Sequence, residues 1–223
     1  MLPGMIITPV ANADPATVAF ITSAISASDL TTYTFSSVSL GTADANRIII
    51  VNIAACAASS GRTISSVTVA GITATQQVFQ SAFSTASAES AIYTAAVPTG
   101  TTGNIVVTWS AGMLRCGIGV YGSNTMMSAT ATATGSSTAN PANASINVSA
   151  GGFVVGCDTT YRTSGAPTFT WTNLTENYDQ NIEAGGTSQT GASSNFSTAQ
   201  TGLSITCTPS LFTAGSMCIA AFR

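Results

Sequence analysis

Histidine and lysine are both missing from this chain of 223 residues, and charged side chains make up only 6% of it. Without imidazole there is no Ser-His-Asp or Cys-His nucleophile pair, no histidine zinc site and no histidine general base. The five cysteines, Cys56, Cys116, Cys157, Cys207 and Cys218, form no closely spaced pair, which removes a cysteine-only zinc site. Neither a GxxxxGK[ST] loop nor a GxGxxG following a strand occurs. Five scattered arginines against eight acids give a net charge of -3, so a basic nucleic-acid surface is not expected. The longest apolar run, Ile48 to Ala58, is ~11 residues with Asn52 inside it, short of the ~20 that cross a bilayer. The start, MLPGMIITPVANA, lacks the basic residues and long apolar segment of a signal peptide, so the expectation is assembly in the cytoplasm and no membrane partner.

What remains is hydroxyl and small apolar side chains: the hydrophobic fraction is 45%, and serine with threonine supplies about 29%. In RIIIVNIAAC the residues Ile48, Ile49, Ile50, Val51 and Ile53 are β-branched, which favours a strand, and the unbroken run implies burial of both its faces. Elsewhere the period is two: Tyr33 with Phe35, Val67 with Val69, and Ile105 with Val107 and Trp109. Turn-rich stretches such as GTADAN, PTGTTG and TSGAP separate these runs. DPATVAFITSAIS has a helix-start signature at Asp14 and Pro15, but its Thr17, Val18, Ile21, Thr22 and Ile25 favour a strand.

The order of elements recurs with an offset of ~100 residues. RIIIVNIAAC, ISSVTVAGITATQQV, SAIYTAAVPTGTTGNIVVTWS and LRCGIGVYG are followed by GGFVVGCDTT, PTFTWTNLTENYDQ, SNFSTAQTGLSITCTPS and SMCIAAFR. Identity is slight, and chance likeness between threonine-rich strands is the alternative. The expected fold is all-β: an antiparallel, jelly-roll-like β-sandwich of about 8–12 strands, built from two similar four-strand halves packed face to face. Residues 1–15 are read as an apolar N-terminal arm and 16–223 as a single sandwich domain. The Ile48 strand would lie centrally, its second face under a loop, the arm or a neighbouring subunit.

The few ionisable groups cluster in LTENYDQNIEAGG, which holds Glu176, Asp179 and Glu183, while Asp158 lies elsewhere. A solvated loop is the plain reading. The alternative is a glycan or cation contact through Glu176 and Asp179 with Tyr161, Tyr178 and, for glycan, Trp171, or a paired-carboxylate hydrolase. The cysteines sit in apolar strand-like runs and are read as buried reduced thiols. The arginines are read as local ion pairs or surface contacts. Gly117, Gly119 and Gly122 in RCGIGVYG are spaced to let neighbouring backbone approach. The four Asn-x-Ser/Thr sequons, at Asn143, Asn147, Asn173 and Asn195, are as many as composition alone produces. MSATATATGSSTANPANAS reads as an edge strand or a linker, and an edge without charged gatekeepers invites pairing with another chain.

From Thr31 to Arg223, the succession TYTFSSVSLGTADANRIIIVNIAA, SSVTVAGITAT, VPTGTTGNIVVTWS, GGFVVG, TFTWTNLTENYD and MCIAAFR resembles jelly-roll β-sandwich virion proteins of tailed bacteriophages. These serve as capsid decoration (cement) proteins and as fibre or tail-tip domains. The resemblance implies a non-enzymatic structural protein without cofactors, located on the virion. As a decoration protein it would be a homotrimer on the outer head surface, contacting the major capsid protein or other virion proteins. As a fibre or tail-tip module it would bind host glycan. No catalytic residue carries over.

Overall fold

The protein is seen in a computed structural model that describes residues 14–183 and 185–223. The expected N-terminal arm lies outside the described residues, apart from Asp14 and Pro15. Among these residues there are 17 strands and no helix. The first half holds β1 (Ala19–Ser26), β2 (Leu30–Ser39), β3 (Ile48–Cys56), β4 (Ile64–Val69), β5 (Ile72–Thr73), β6 (Thr75–Phe83), β7 (Ser87–Ala96), β8 (Thr102–Met113) and β9 (Arg115–Ser123). The second holds β10 (Ala133–Ser137), β11 (Ala142–Val148), β12 (Gly152–Tyr161), β13 (Phe169–Thr172), β14 (Thr175–Asn181), β15 (Thr187–Phe196), β16 (Gln200–Pro209) and β17 (Ala214–Phe222). DPATVAFITSAIS therefore ends in a strand, as its β-branched residues favour.

In the first half β1 pairs with β9, β2 with β8, β3 with β7 and β4 with β5, all antiparallel. This nesting is one long hairpin rolled into two sheets, the wrapping of a jelly roll. The sheets are β1-β9-β3-β7-β6 and β2-β8-β4-β5. The second half repeats it with β10-β17-β12-β15-β14 and β11-β16-β13. The recurrence in the sequence is thus structural, but each half contributes eight or nine strands and closes its own sandwich. The count exceeds the expected 8–12 because stretches such as SAIYTAAVPTGTTGNIVVTWS fold back into two strands each, here β7 and β8.

The five-stranded sheets of the two halves pack against each other, giving four layers and three cores. One core lies inside the first sandwich, around Tyr33, Ile49, Val51, Ile53, Val107 and Trp109. Another lies inside the second, around Val154, Ile205, Met217 and Ile219. The third lies between the sandwiches and contains Ile48, Ile50, Ile92, Tyr121, Phe153, Val155 and Phe222. Across it β12 faces β3 and β7, β17 faces β7 and β6, and β15 faces β3 and β9. The reversed order relates the halves by an approximate two-fold axis between β3 and β12. It also explains the unbroken apolar run: β3 is buried at all nine positions, with Ile49, Val51, Ile53 and Ala55 in one core and Ile48 and Ile50 in the other. The cover over its second face is the other half of the same chain.

Hydrogen bonds supplement this contact. Ser90 Oγ donates to the Ser216 carbonyl at 2.6 Å, Thr159 Oγ1 to the Glu89 carbonyl at 2.7 Å and Asn52 Nδ2 to the Gly156 carbonyl at 2.9 Å. Arg115 joins Asp29 of the first half, at 2.5 Å, to Glu183 of the second.

Arg47 and Arg162 depart from the expected surface role: both are 2% exposed and act as staples for backbone carbonyls. Arg47, just before β3, donates to the carbonyls of Val97, Leu40, Gly41, Thr99 and Gly100. That set uses all five of its N–H groups, so Arg47→Ala should cost about 3 kcal/mol of unfolding free energy by leaving the carbonyls unpaired. Arg47→Lys should lose most of that too, having three donors on one nitrogen. Urea titration followed by tryptophan fluorescence measures both; a lysine variant as stable as the parent would contradict the staple.

Candidate functional site

The residues nominated from the sequence do not converge. Tyr161 ends β12 half-buried. Glu176 and Asp179 are exposed on β14, an edge strand, with Tyr178 on the opposite face. Strict alternation would place residues 176 and 178 together; a bulge in the pairing with β15 between them shifts the parity. Tyr178 is therefore in the core between the sandwiches, 8% exposed, with its ring stacked on Phe20 at 5.3 Å. This corrects its expected place among surface glycan contacts. Trp171 is half-buried against the second core and donates its indole N–H to Thr190 Oγ1 at 3.1 Å. Glu183 is taken up by Arg115.

Asp179 accepts a hydrogen bond from the Phe169 backbone, and partial burial raises its carboxyl, which that bond and nearby Arg162 oppose. Glu176 is raised by partial burial and by the charge of Asp179. The two carboxylates are neighbours on β14, and neither lines the two clefts described here. A cleft of about 390 Å³ lies beside Ile21, Leu40, Gly41 and Asn124. Its ionisable residue is Arg47, whose N–H groups are committed to carbonyls. The second, of about 250 Å³, is lined by Pro15, Ala16, Thr17, Gly152, Asn195, Phe196 and Ser197.

Two other acids are interior. Asp158 is 2% exposed, accepts from Thr160 Oγ1 at 3.0 Å, and is pushed well above the carboxylate range by burial. Glu89, which the sequence reading passed over inside SAESAIY, is fully buried and pushed up to about 7 by desolvation, with Ser87, Ser81 and Arg62 opposing. All five cysteines are free and buried. Among the described residues no three His, Cys, Asp or Glu are grouped to hold a metal ion.

The glycines of RCGIGVYG admit side chains, not backbone as expected. A Cβ on Gly117 would meet Gln189, on Gly119 Tyr178 and on Gly122 Ile21. Two of these three visitors come from the second half. Such positions are visible in a sequence only as glycine spacing, without the identity of what fills the gap.

The surface itself is the most distinctive feature. The seven strands of the two outermost sheets contain no Asp, Glu, Lys or Arg. Apart from exposed Leu30 and Ile72, their exposed residues are mainly hydroxyls and amides, such as Thr32 beside Thr108 Oγ1 at 3.3 Å, and Asn143 donating to Ser204 and Thr206 at 2.8 and 2.9 Å. No family model, curated protein or solved structure matches the chain.

Proposed function

We propose that this chain is a non-enzymatic structural protein of a tailed-phage virion, decorating the outer head surface as a homotrimer in contact with the major capsid protein. The observation that carries this reading is the pair of outer sheets with no charged side chain. Neutral faces rich in hydrogen-bonding groups pack beside identical neighbours without like-charge repulsion. They also lack the charged gatekeepers that keep strands apart. Many modest contacts on one particle then add through multivalency.

Burial of Tyr178 leaves the fibre-tip glycan reading with Tyr161, Trp171, Glu176 and Asp179. Glu176 and Asp179 are neighbours but line neither cleft, which gives no favour to hydrolysis. Labelled antibody imaging of purified particles, with copy number from quantitative mass spectrometry, tests the proposal. Label over the heads, in fixed proportion to the shell protein, is the expected result; label confined to tails, or no copies on the particle, would overturn it.

A further inference from the structure

Cys157 on β12 and Cys218 on β17 stand directly opposite each other in an antiparallel pairing. Both side chains enter the core between the sandwiches, so they leave the sheet on the same face. Opposed residues in such a pair have Cα atoms ~4.5–5.5 Å apart, inside the ~4.4–6.8 Å that a disulfide spans. Both sulfurs lie under consecutive residues of β7: Cys157 Sγ is 3.6 Å from the Ala91 carbonyl and Cys218 Sγ 3.2 Å from the Ser90 carbonyl. The two thiols also touch each other. The other cysteines are placed apart, with Cys56 against Thr187, Cys116 in the first core and Cys207 in the last.

We propose that Cys157 and Cys218 are a specific oxidation site that forms a cross-strand disulfide when the protein meets a disulfide oxidant such as glutathione disulfide. One cysteine thiolate attacks a glutathione sulfur, and the departing glutathione thiolate takes up a proton. The second cysteine then attacks the mixed disulfide, loses its proton and releases the other glutathione. One S–S bond forms and one breaks; two cysteine thiols are oxidised and one glutathione disulfide is reduced to two thiols. The bond ties the middle strand of the second inner sheet to the last strand of the chain. Both thiols are buried, Cys157 1% and Cys218 0% exposed, so an oxidant has no access to them in the closed fold. Reaction therefore occurs during folding or when the sandwiches part. The inference is independent of any role on a virion.

The test is to refold the full chain in glutathione buffer, quench with acid, alkylate in denaturant and map peptides by mass spectrometry. The expected result is a peptide joining residues 157 and 218, with Cys56, Cys116 and Cys207 alkylated. Cys157→Ser and Cys218→Ser should each abolish the joined peptide, and the oxidised parent should melt ~10 °C above its reduced form. The parent alone decides the matter if either variant fails to fold. Five alkylated cysteines after oxidative refolding, linkage through another pair, or an oxidised form that melts no higher would overturn the proposal.

Discussion

Gly119→Ala will destabilise the protein by at least about 3 kcal/mol, the upper range for overpacking, although it adds one methyl group. The added carbon would stand 2.2 Å from Tyr178 Oη and 2.4 Å from its Cε1. The ring cannot retreat, because it is stacked on Phe20 and a Cβ on Gly191 would meet it at 2.2 Å. Gly119 belongs to β9 and Gly191 to β15, so the tyrosine fills a slot that both halves leave open. Tyr178→Ala alone should cost about 3 kcal/mol through the cavity it leaves. In Gly119→Ala with Tyr178→Ala the methyl no longer meets a ring, and the combined loss should fall short of the sum by roughly 2 kcal/mol. Urea denaturation of the three variants measures the cycle. Strict additivity would mean that the slot is not what constrains Gly119.

Unfolding free energy will fall as pH rises from about 4.5 to 7, with Glu89 a main cause. Desolvation raises its carboxyl from 4.5 to about 7. Between those values the folded protein keeps a proton that the unfolded chain has released, so raising pH favours unfolding. Below 4.5 both states are protonated and above 7 both are ionised, so the Glu89 contribution is flat outside that window. At ~1.36 kcal/mol per pH unit, the ionised fold is disfavoured by up to about 3 kcal/mol relative to the protonated one. Glu89→Gln should remove this slope and leave the variant more stable than the parent at pH 8, with little difference at pH 4.5. Asp158 is raised in the same direction by complete burial, and Asp158→Asn should flatten a further part of the profile. Denaturation midpoints at the two pH values decide the matter; parallel profiles for parent and Glu89→Gln would refute the assignment.

Local pattern carried much of this architecture. Alternation in TTYTFSS, SSVTVAG and NIVVTWS marked strands of the outer sheets, which have one wet face. Unbroken apolar runs marked β3, β12 and β17, buried on both faces. Strand β15 is not legible in the sequence because TSQTGASSNF looks like a polar loop, yet its first seven residues are buried. Its polar groups find partners only in the folded protein: Thr190 Oγ1 donates to the Tyr178 carbonyl, Ser188 Oγ to Asn181 and Gln189 Nε2 to Gln180. The places of Arg47 and Arg162 are hidden for the same reason, since the carbonyls that hold Arg47 include those of residues 97, 99 and 100, distant in the chain. The direction of Tyr178 depended on a bulge that no residue type announces.

By itself the sequence determined that the described residues form strands and no helix, that the elements recur in two halves, and that imidazole chemistry is excluded. Tertiary structure alone decided that each half closes a separate jelly roll, and that the inner sheets cover one another. The reason is that hydrophobic burial has no direction: a strand's apolar pattern says that a face must leave water, but not which surface will cover it. That choice belongs to shape, in the glycine slots and the rings that fill them.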